Sequence, residues 1–264
     1  LSPRLPVVPV LPEAVASMLR AVMVVRTLRR RDRRLLMRHP STAGEVMTVY
    51  YSDGSVTIYH GRWEDVLPTL CDASVGFVDP PYNYGFDYGD GYDDKRPPGE
   101  YAAWCRAWVD LMRQRCDRLI VTPGHGNLLQ WLEREPSGIA AWYKPGNPAG
   151  AGIFQWCEWE PICVWGSGRI GGSNVYRATT NIGFGKTGRD GSAHPCPKPL
   201  KLMTGLLAAF KGPTVIDPMC GSGTTLRAAK DLGMTACGIE QNEAYCEIAA
   251  KRMAQEVLDF GGAA

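Results

Sequence analysis

The chain has 264 residues, of which 45% are hydrophobic and 21% are charged, and its formal net charge is +2. This composition is ordinary for a globular chain with a sizeable core, and no stretch approaches the roughly 18 apolar residues of a membrane span. The nine cysteines form no C-x-x-C pair and no cluster with metal-ligand spacing. The pattern therefore argues against a disulfide framework and predicts no bound metal.

The first 46 residues differ from the rest in composition. Nine arginines oppose three acids there, so this leader carries a charge of +6 while residues 47–264 carry −4. A disordered or helical tail is the favoured interpretation. The alternatives are a transit peptide, a DNA-contacting arm or non-native upstream sequence. The last is included because Met47 opens the recognisable domain. Any binding of DNA by the folded part must use a local basic patch, since its overall charge is negative.

From Met47 onward the pattern is typical of an α/β domain. Short apolar runs alternate with stretches that have apolar residues at helical spacing, which predicts a mostly parallel sheet with helices on both faces. In chain order the predicted elements are strands at 56–60 and 75–79, a helix at 100–116, a strand and turn at 118–124, strands at 139–144 and 159–165, a helix at 199–210, a strand at 214–218, a helix at 224–233 and a strand at 235–240.

One segment, 166–193, contains eight glycines and no long apolar run. Its basic residues are Arg169, Arg177, Lys186 and Arg189. A long flexible loop is one interpretation. Structureless loops beyond about 15 residues in compact domains are usually functional or disordered, so a functional insert is the other.

The motif Asp79-Pro80-Pro81-Tyr82 follows directly on a predicted strand. Ligands of open α/β sheets bind beyond the carboxyl ends of strands, and two prolines remove two backbone donors, so that nearby carbonyls can face outward as acceptors. The Asp79 carboxylate and the Pro80 carbonyl can then hold both N–H groups of an amino group on a nucleobase, while Tyr82 offers a flat face. Such a base must first leave the duplex. The motif alone is also compatible with a strand end and a rigid turn.

A second motif, Cys220-Gly221-Ser222-Gly223, follows a predicted strand that ends at Asp217. It opens a helix with Thr224 and Thr225 as capping-type residues, and the next strand ends at Glu240. The third glycine of a dinucleotide fingerprint and the lysine of a phosphate loop are both missing. Asp217 instead suits a cationic amino-acid or sulfonium group, and Glu240 suits ribose hydroxyls. A glycine-bearing turn without a ligand is the alternative.

A third segment, His194-Pro195-Cys196-Pro197-Lys198-Pro199, precedes that unit. With these motifs in this order, residues 56–250 resemble the amino-group DNA methyltransferases of the circularly permuted β type, in which the Asp-Pro-Pro-Tyr motif precedes the cofactor half. The resemblance also includes Tyr88, Tyr101, Trp104, Trp142, Lys144, the Trp-Glu-Pro at 159–161 and the Gly-Ile-Glu at 238–240.

The resemblance implies a Rossmann-like fold, with residues 47–264 as the catalytic domain and S-adenosylmethionine as the methyl donor. Residues Asp79, Pro80, Pro81 and Tyr82 are expected to hold the target amine. The donor is expected to bind Asp217, Pro218, Cys220, Gly221, Ser222, Gly223, Thr224 and Glu240, with Lys198 and Pro199 beside its methionine end. The predicted contacts with double-stranded DNA are Asn83, Arg169, Arg177, Lys186 and Arg189. The four basic residues are included because in the family the stretch just before the segment that begins at His194 reads the DNA sequence.

This sequence departs from the family at Gly61-Arg62, where many relatives have Gly-Asp, so a cofactor contact by that acid is in doubt. The segment 166–193 is also short for sequence recognition. It predicts a brief or loosely read site, or a second subunit, so that a homodimer is an open expectation. The family further suggests a cognate restriction enzyme and a cytoplasmic location in a prokaryote or phage-infected cell.

Adenine N6 is the preferred target, because within the family Asp-Pro-Pro-Tyr is commoner in adenine-N6 enzymes and Ser-Pro-Pro-Tyr in cytosine-N4 enzymes. Cytosine N4 stays an alternative, since either amine fits the same acceptors. An RNA or protein-amide methyltransferase is a further one, although the protein-glutamine relatives carry Asn where this chain has Asp79. The last is a catalytically silent DNA- or cofactor-binding module.

Overall fold

The computed structural model describes residues 48–86, 88, 94–146, 157–179 and 197–255. All of them belong to one compact unit, Thr42–Ala264. The predicted leader, residues 1–46, lies outside the described residues.

The described strands form a single sheet with the order β1-β2-β9-β8-β3-β4-β6-β5-β7. They are β1 (Thr48–Ser52), β2 (Val56–His60), β3 (Ala73–Val78), β4 (Cys116–Val121), β5 (Gly138–Tyr143), β6 (Trp159–Gly166), β7 (Val175–Arg177), β8 (Thr214–Asp217) and β9 (Thr235–Glu240). The central strands β2, β9, β8, β3 and β4 run parallel. The antiparallel pairs are β1 with β2, and β6 with both β4 and β5. The mostly parallel sheet that the sequence predicts is therefore confirmed.

Helices cover both faces of this sheet. They are α1 (Trp63–Val66), α2 (Pro98–Arg115), α3 (Leu128–Leu132), α4 (Leu200–Phe210), α5 (Thr224–Asp231) and α6 (Glu243–Ala254). Buried residues of α4, α5 and α6 pack in one core cluster with Ile120 of β4. Those of α1, α2 and α3 pack in a second cluster with Leu119 and Val121 of the same strand. Successive strand residues point to opposite faces, so one apolar strand contributes to both cores.

The strands and helices predicted from the sequence are present, with ends that shift by at most three residues. The sequence patterns missed β1, α1, α3 and α6, and they missed β7 inside the segment 166–193. Strand β7 pairs in parallel with β5, so the interpretation of that segment as a loop is wrong for Val175–Arg177. The rest of the segment from residue 180 lies outside the described residues. No helix in the described part of the chain is both long and apolar enough to cross a membrane.

Candidate active site

Three strand ends at the centre of the sheet bring the two motifs together. Asp79 follows β3, Asp217 ends β8 and Glu240 ends β9, and these strands are neighbours in the order β9-β8-β3. Because parallel strands end at the same edge of a sheet, loops that are far apart in the sequence become adjacent. The two proline-bearing loops thus lie side by side along one rim, as the sequence motifs require.

The loops enclose one cavity of about 660 Å³, which is within the usual range for a small-molecule site. Both Tyr82 and Gly221 line it. Its acidic lining residues are Glu64, Asp79, Asp94, Asp217 and Glu240, and its basic ones are Arg62, Arg96 and Lys198. This excess of acidic groups favours a ligand that carries positive charge.

The Asp79 carboxylate lies at the centre of a hydrogen-bond cluster. Its Oδ1 accepts the Tyr82 hydroxyl at 2.8 Å, the Thr122 hydroxyl at 2.6 Å and the Lys198 ammonium at 2.7 Å, whereas Oδ2 accepts Lys198 at 2.6 Å. Each carboxylate oxygen offers about two lone-pair positions. Among the described residues Oδ1 is therefore fully engaged, while Oδ2 keeps room for one more donor.

Lys198 has a different neighbour from the one expected by resemblance. Its ammonium contacts Asp79 and also donates to the Tyr82 hydroxyl at 3.0 Å. The lysine side chain is only 11% exposed. The ammonium also lies 5.2 Å from the centre of the Tyr82 ring and 5.9 Å from that of Trp142. In this structure Lys198 is thus part of the cluster around Asp79, and its predicted contact with the methionine end of the donor stays a prediction.

Tyr82 is held by contacts with its ring, its hydroxyl and its backbone carbonyl. Gly124, with φ of +73°, lies so close that a Cβ at this position would be 2.9 Å from the ring. Asn127 Nδ2 donates to the Tyr82 carbonyl at 2.8 Å, and the hydroxyl donates to Asp79. Burial, together with the charge of Asp79, raises the pKa of Tyr82 well above its usual range. The side chain is therefore a neutral phenol and a fixed donor.

Asp217 and Glu240 differ in how their charge is supported. Burial raises the pKa of Asp217 to about 7, although its carboxylate accepts the Met219 N–H at 3.1 Å. Glu240 has both oxygens engaged, because Oε2 accepts the Gly221 N–H at 2.9 Å and Oε1 accepts the Asn242 N–H at 2.7 Å. Among the described residues Asp217 is thus a buried acid with no ion-pair partner, and Glu240 is a carboxylate of fixed orientation.

The glycine loop enters α5 differently from the prediction. The N-cap is Gly223, with φ of +78° and no side-chain capping bond, so the expectation of Thr224 and Thr225 as capping residues is wrong. Both threonines are already helical, and the Thr224 hydroxyl accepts Arg252 Nη1 at 2.5 Å. The left-handed cap turns the chain sharply enough for Gly221 and Ser222 to face the cavity.

Most of the predicted site residues line the cavity. They are Asp79, Pro80, Pro81, Tyr82, Lys198, Asp217, Pro218, Cys220, Gly221, Ser222, Thr224 and Glu240. Gly223 and Pro199 instead serve as helix N-caps. The side chain of Asn83 bonds to the backbone of Arg96. Arg177 lies over the Tyr143 ring at the end of β7, and Arg169 lies between β6 and β7. Lys186 and Arg189 lie outside the described residues.

Sequence patterns did not identify several residues of the site. Thr122 follows β4, beside β3, and its buried hydroxyl bonds Asp79. Asp94, Arg96, Tyr84 and Phe86 also line the cavity. The turn after the predicted strand at 118–121 was the one available signal for Thr122, because strand ends at this edge carry the site. At the position that departs from the family, Arg62 pairs with Glu64 at 3.1 Å and keeps 63% of its side chain exposed.

Similarity to known proteins agrees with this geometry. A family model described as DNA methylase, for N6 and N4 methyltransferases, matches residues 161–251, the stretch that contains Lys198, Asp217 and Glu240. The type II methyltransferase M.ScaI of Streptomyces caespitosus is 21% identical over 264 aligned residues, which cover 78% of this chain and 84% of that protein. Over these residues the chain is similar to the amino-group DNA methyltransferases.

Solved structures share the fold of this chain. The PvuII DNA methyltransferase, described as cytosine-N4-specific, has a TM-score of 0.63 at 15% identity, with 80% of this chain and 91% of that chain covered. A complex of M1.HpyAVI with S-adenosylmethionine has a TM-score of 0.55 at 19% identity, with 76% of this chain and 100% of that chain covered. At these identities the likeness establishes the Rossmann-like fold and not the target base.

Proposed function

We propose that this methyltransferase transfers the methyl group of S-adenosylmethionine to the exocyclic amino group of an everted base in double-stranded DNA, with adenine N6 as the preferred target. One observation carries the proposal. The Asp79 acceptor and the Asp217–Glu240 pair of acids line the same cavity, so an amine and a methyl donor can meet there.

The residues present fit the donor. Its methionine ammonium and sulfonium are cationic, and Asp217 is a buried acid whose raised pKa would return toward its usual value beside a cation. Two backbone N–H groups fix the carboxylate of Glu240 at the end of β9, where it can accept the ribose hydroxyls. When bound, the donor supplies a highly activated methyl group. The protein then has mainly to position the two reactants.

The amine is held by the Asp-Pro-Pro-Tyr motif. One N–H donates to Asp79 Oδ2, the oxygen that accepts only Lys198 among the described residues, and the other donates to the Pro80 carbonyl. The base stacks on Tyr82, whose ring Gly124 supports. Two acceptors on one amino group favour a pyramidal nitrogen with an available lone pair. This arrangement stabilises positive charge as it develops on the nitrogen.

Asp79 acts as an acceptor and need not remove a proton before methyl transfer. The amino nitrogen becomes acidic once it carries the new methyl group, so the proton can leave afterwards. Lys198 and Thr122 keep the carboxylate oriented through bonds of 2.6–2.7 Å. The expected role of the cluster is thus fixed geometry and charge, which supply most of the rate in reactions of this kind.

Cytosine N4 is the second candidate, because its amine presents the same two donors to Asp79 and Pro80. The domain division also belongs to the proposal, with residues 47–264 as the catalytic domain and 166–193 as the segment that contacts DNA. Within that segment Arg169 and Arg177 are proposed to meet phosphates, so that DNA binding weakens steeply with salt. A homodimer and a cognate restriction enzyme are proposed partners.

The test is a product analysis. Purified protein is incubated with isotopically labelled S-adenosylmethionine and unmethylated DNA, the DNA is digested to nucleosides, and the products are identified by mass spectrometry. We expect N6-methyladenine, and N4-methylcytosine would select the alternative base. Label in RNA or protein substrates and none in DNA would contradict the proposal. Binding of donor and DNA with no labelled product would identify a silent binding module.

The variant Asp79→Ala tests the assigned chemistry. It should bind donor and DNA and lose nearly all turnover. The matched variant Asp72→Ala, a surface carboxylate just before β3, should keep its activity. If the kcat of Asp79→Ala fell by less than about tenfold, the role given to Asp79 would be wrong.

A further inference from the structure

One buried carboxylate holds the backbone that follows the Asp-Pro-Pro-Tyr motif. Asp94 is 4% exposed. Its Oδ1 accepts the Asn83 N–H at 2.8 Å, and its Oδ2 accepts the N–H groups of Tyr84 at 3.2 Å and Phe86 at 2.8 Å. The Asp94 carbonyl accepts the Gly85 N–H at 2.8 Å. Four consecutive backbone N–H groups therefore converge on one residue, in the manner of a backbone anion-binding nest.

A second set of hydrogen bonds, between the Asn83 side chain and the Arg96 backbone, fixes the same segment. Asn83 has φ of +61°, a conformation that Asn tolerates better than most residues. Its side chain accepts the Arg96 N–H at 2.8 Å and donates to the Arg96 carbonyl at 2.9 Å. The Arg96 guanidinium lies 5.1 Å from the centre of the Trp104 ring. Residues 83–86, which we name the aromatic strap, are thus fixed from both sides although they form no helix or strand.

The strap presents two aromatic rings at the mouth of the cavity. Tyr84 is 63% exposed and Phe86 is 40% exposed, and both line the cavity. The Tyr84 ring meets the Tyr82 ring edge-to-face with centres 5.8 Å apart, and its hydroxyl accepts the Gly126 N–H at 3.0 Å. The strap therefore begins at the platform proposed for the base. Rigid exposed rings beside a cavity are apolar surface that a ligand can cover.

The position of the strap relative to Tyr82 indicates whether its rings meet the methyl donor or the DNA bases. On the other side of the rings Phe86 contacts Tyr88 at 5.2 Å between ring centres, and the Tyr88 carbonyl accepts Asn242 Nδ2 at 3.0 Å next to Glu240. Tyr88 thus lies on the side of the proposed donor site, whereas the Tyr84 ring packs against Tyr82. Both Tyr84 and Phe86 keep exposed ring surface. Aromatic side chains stack on nucleobases with little regard to sequence, and an everted base leaves unstacked neighbours.

We infer that Asp94 is a positioning residue of the methyltransferase and that the strap it holds stacks, through Tyr84 and Phe86, on the DNA bases beside the everted nucleotide. The inference rests on the proposed function. Replacing Asp94 by Asn keeps the shape of the side chain but turns an N–H toward backbone N–H groups that need an acceptor. The strap should then move, and DNA should lose its stacking surface while the donor keeps its own contacts.

The experiment begins with the wild-type protein, whose methylated site is mapped by sequencing its DNA product. A labelled duplex with that site then reports DNA affinity by fluorescence anisotropy, with the donor analogue sinefungin present, and calorimetry reports sinefungin affinity. Asp94→Asn, Tyr84→Ala and Phe86→Ala should each weaken DNA binding by about tenfold and raise the KM for DNA, with sinefungin affinity changed less than about twofold. The controls Asp110→Asn and Leu129→Ala, at exposed positions on α2 and α3, should match wild type.

Unchanged DNA affinity in the three variants overturns the inference, and so does an equal loss of sinefungin affinity, which would assign the strap to the donor. If Asp94→Asn fails to fold by thermal unfolding, the two ring truncations decide alone, because they leave the backbone bonds in place. If the wild-type protein methylates no DNA, the first step of the experiment contradicts the proposed function. That failure is therefore distinct from a failure of the strap.

Discussion

The raised pKa of Asp217 predicts that donor binding depends on pH. Burial raises this pKa to about 7 in the free protein, whereas a bound sulfonium and ammonium require the ionised carboxylate. Binding below pH 7 must therefore release the proton of Asp217. The apparent Kd should exceed its high-pH limit about twofold at pH 7 and about tenfold at pH 6, because one titrating group changes affinity tenfold per pH unit below its pKa.

Isothermal titration calorimetry of S-adenosylmethionine without DNA measures this linkage. Between pH 5.5 and 7.0 the donor's own ammonium keeps its proton, since an α-amino pKa is about 7.7–8.0. Titrations in two buffers of different ionisation enthalpy should show about 0.9 proton released at pH 6 and about 0.5 at pH 7. Asp217→Asn should bind more weakly at pH 7 with no pH dependence. Asp53→Asn, which removes a carboxylate paired with Lys230 outside the cavity, should keep the wild-type slope.

A Kd for wild type that is constant over this range, with no proton release, would refute the reasoning. The stability of the donor-free protein gives an independent check. Because the pKa of Asp217 is raised in the folded state, ionisation destabilises the fold as pH rises from the unfolded value near 3.8 through about 7. The Tm of Asp217→Asn relative to wild type should therefore increase between pH 5 and pH 8.

Three further substitutions test the packing of the site. Gly124→Ala places a Cβ 2.9 Å from the Tyr82 ring, whereas Gly146→Ala, with nearly the same φ, meets nothing within 4 Å. The kcat should therefore fall at least about tenfold in Gly124→Ala and stay unchanged in Gly146→Ala. Equal kcat values for the two variants would show that the ring does not depend on this contact. Lys198→Met removes one partner of a buried ion pair and should lower kcat at saturating donor and DNA by at least about tenfold. Lys198→Arg should recover part of this activity. An unchanged kcat in Lys198→Met would show that turnover does not depend on the ion pair with Asp79. Gly76→Ala places a Cβ 2.5 Å from Met112 Cε, while Gly138→Ala in β5 meets nothing within 4 Å. Thermal unfolding should show that Gly76→Ala lowers the free energy of unfolding by about 1–3 kcal/mol. A similar loss in Gly138→Ala would point to backbone effects and not to the contact with Met112.

The sequence carried the local structure and the chemical groups. Apolar periodicity predicted the strands and helices of the sheet core, because a strand or helix that buries one face must repeat its apolar residues with its own period. The motifs at 79–82 and 217–223, with Glu240, predicted an amine acceptor and a donor site. All of these are properties of short segments. Where segments had weak periodicity, as in β7 and α3, the prediction missed them.

Spatial neighbours depended on the tertiary structure. Strand order placed β8 between β3 and β9, and no local pattern encodes a pairing between strands more than 130 residues apart. The pairing of β3 with β4 set Thr122 against Asp79, and folding placed Lys198 on that carboxylate. Asp94 looked like any loop acid in the sequence, and its role became visible only when four backbone N–H groups were seen to converge on it. The sequence by itself determined which groups are present, because propensity and motif are local; the sheet decided which groups meet, because contact between distant segments arises from packing of the whole chain.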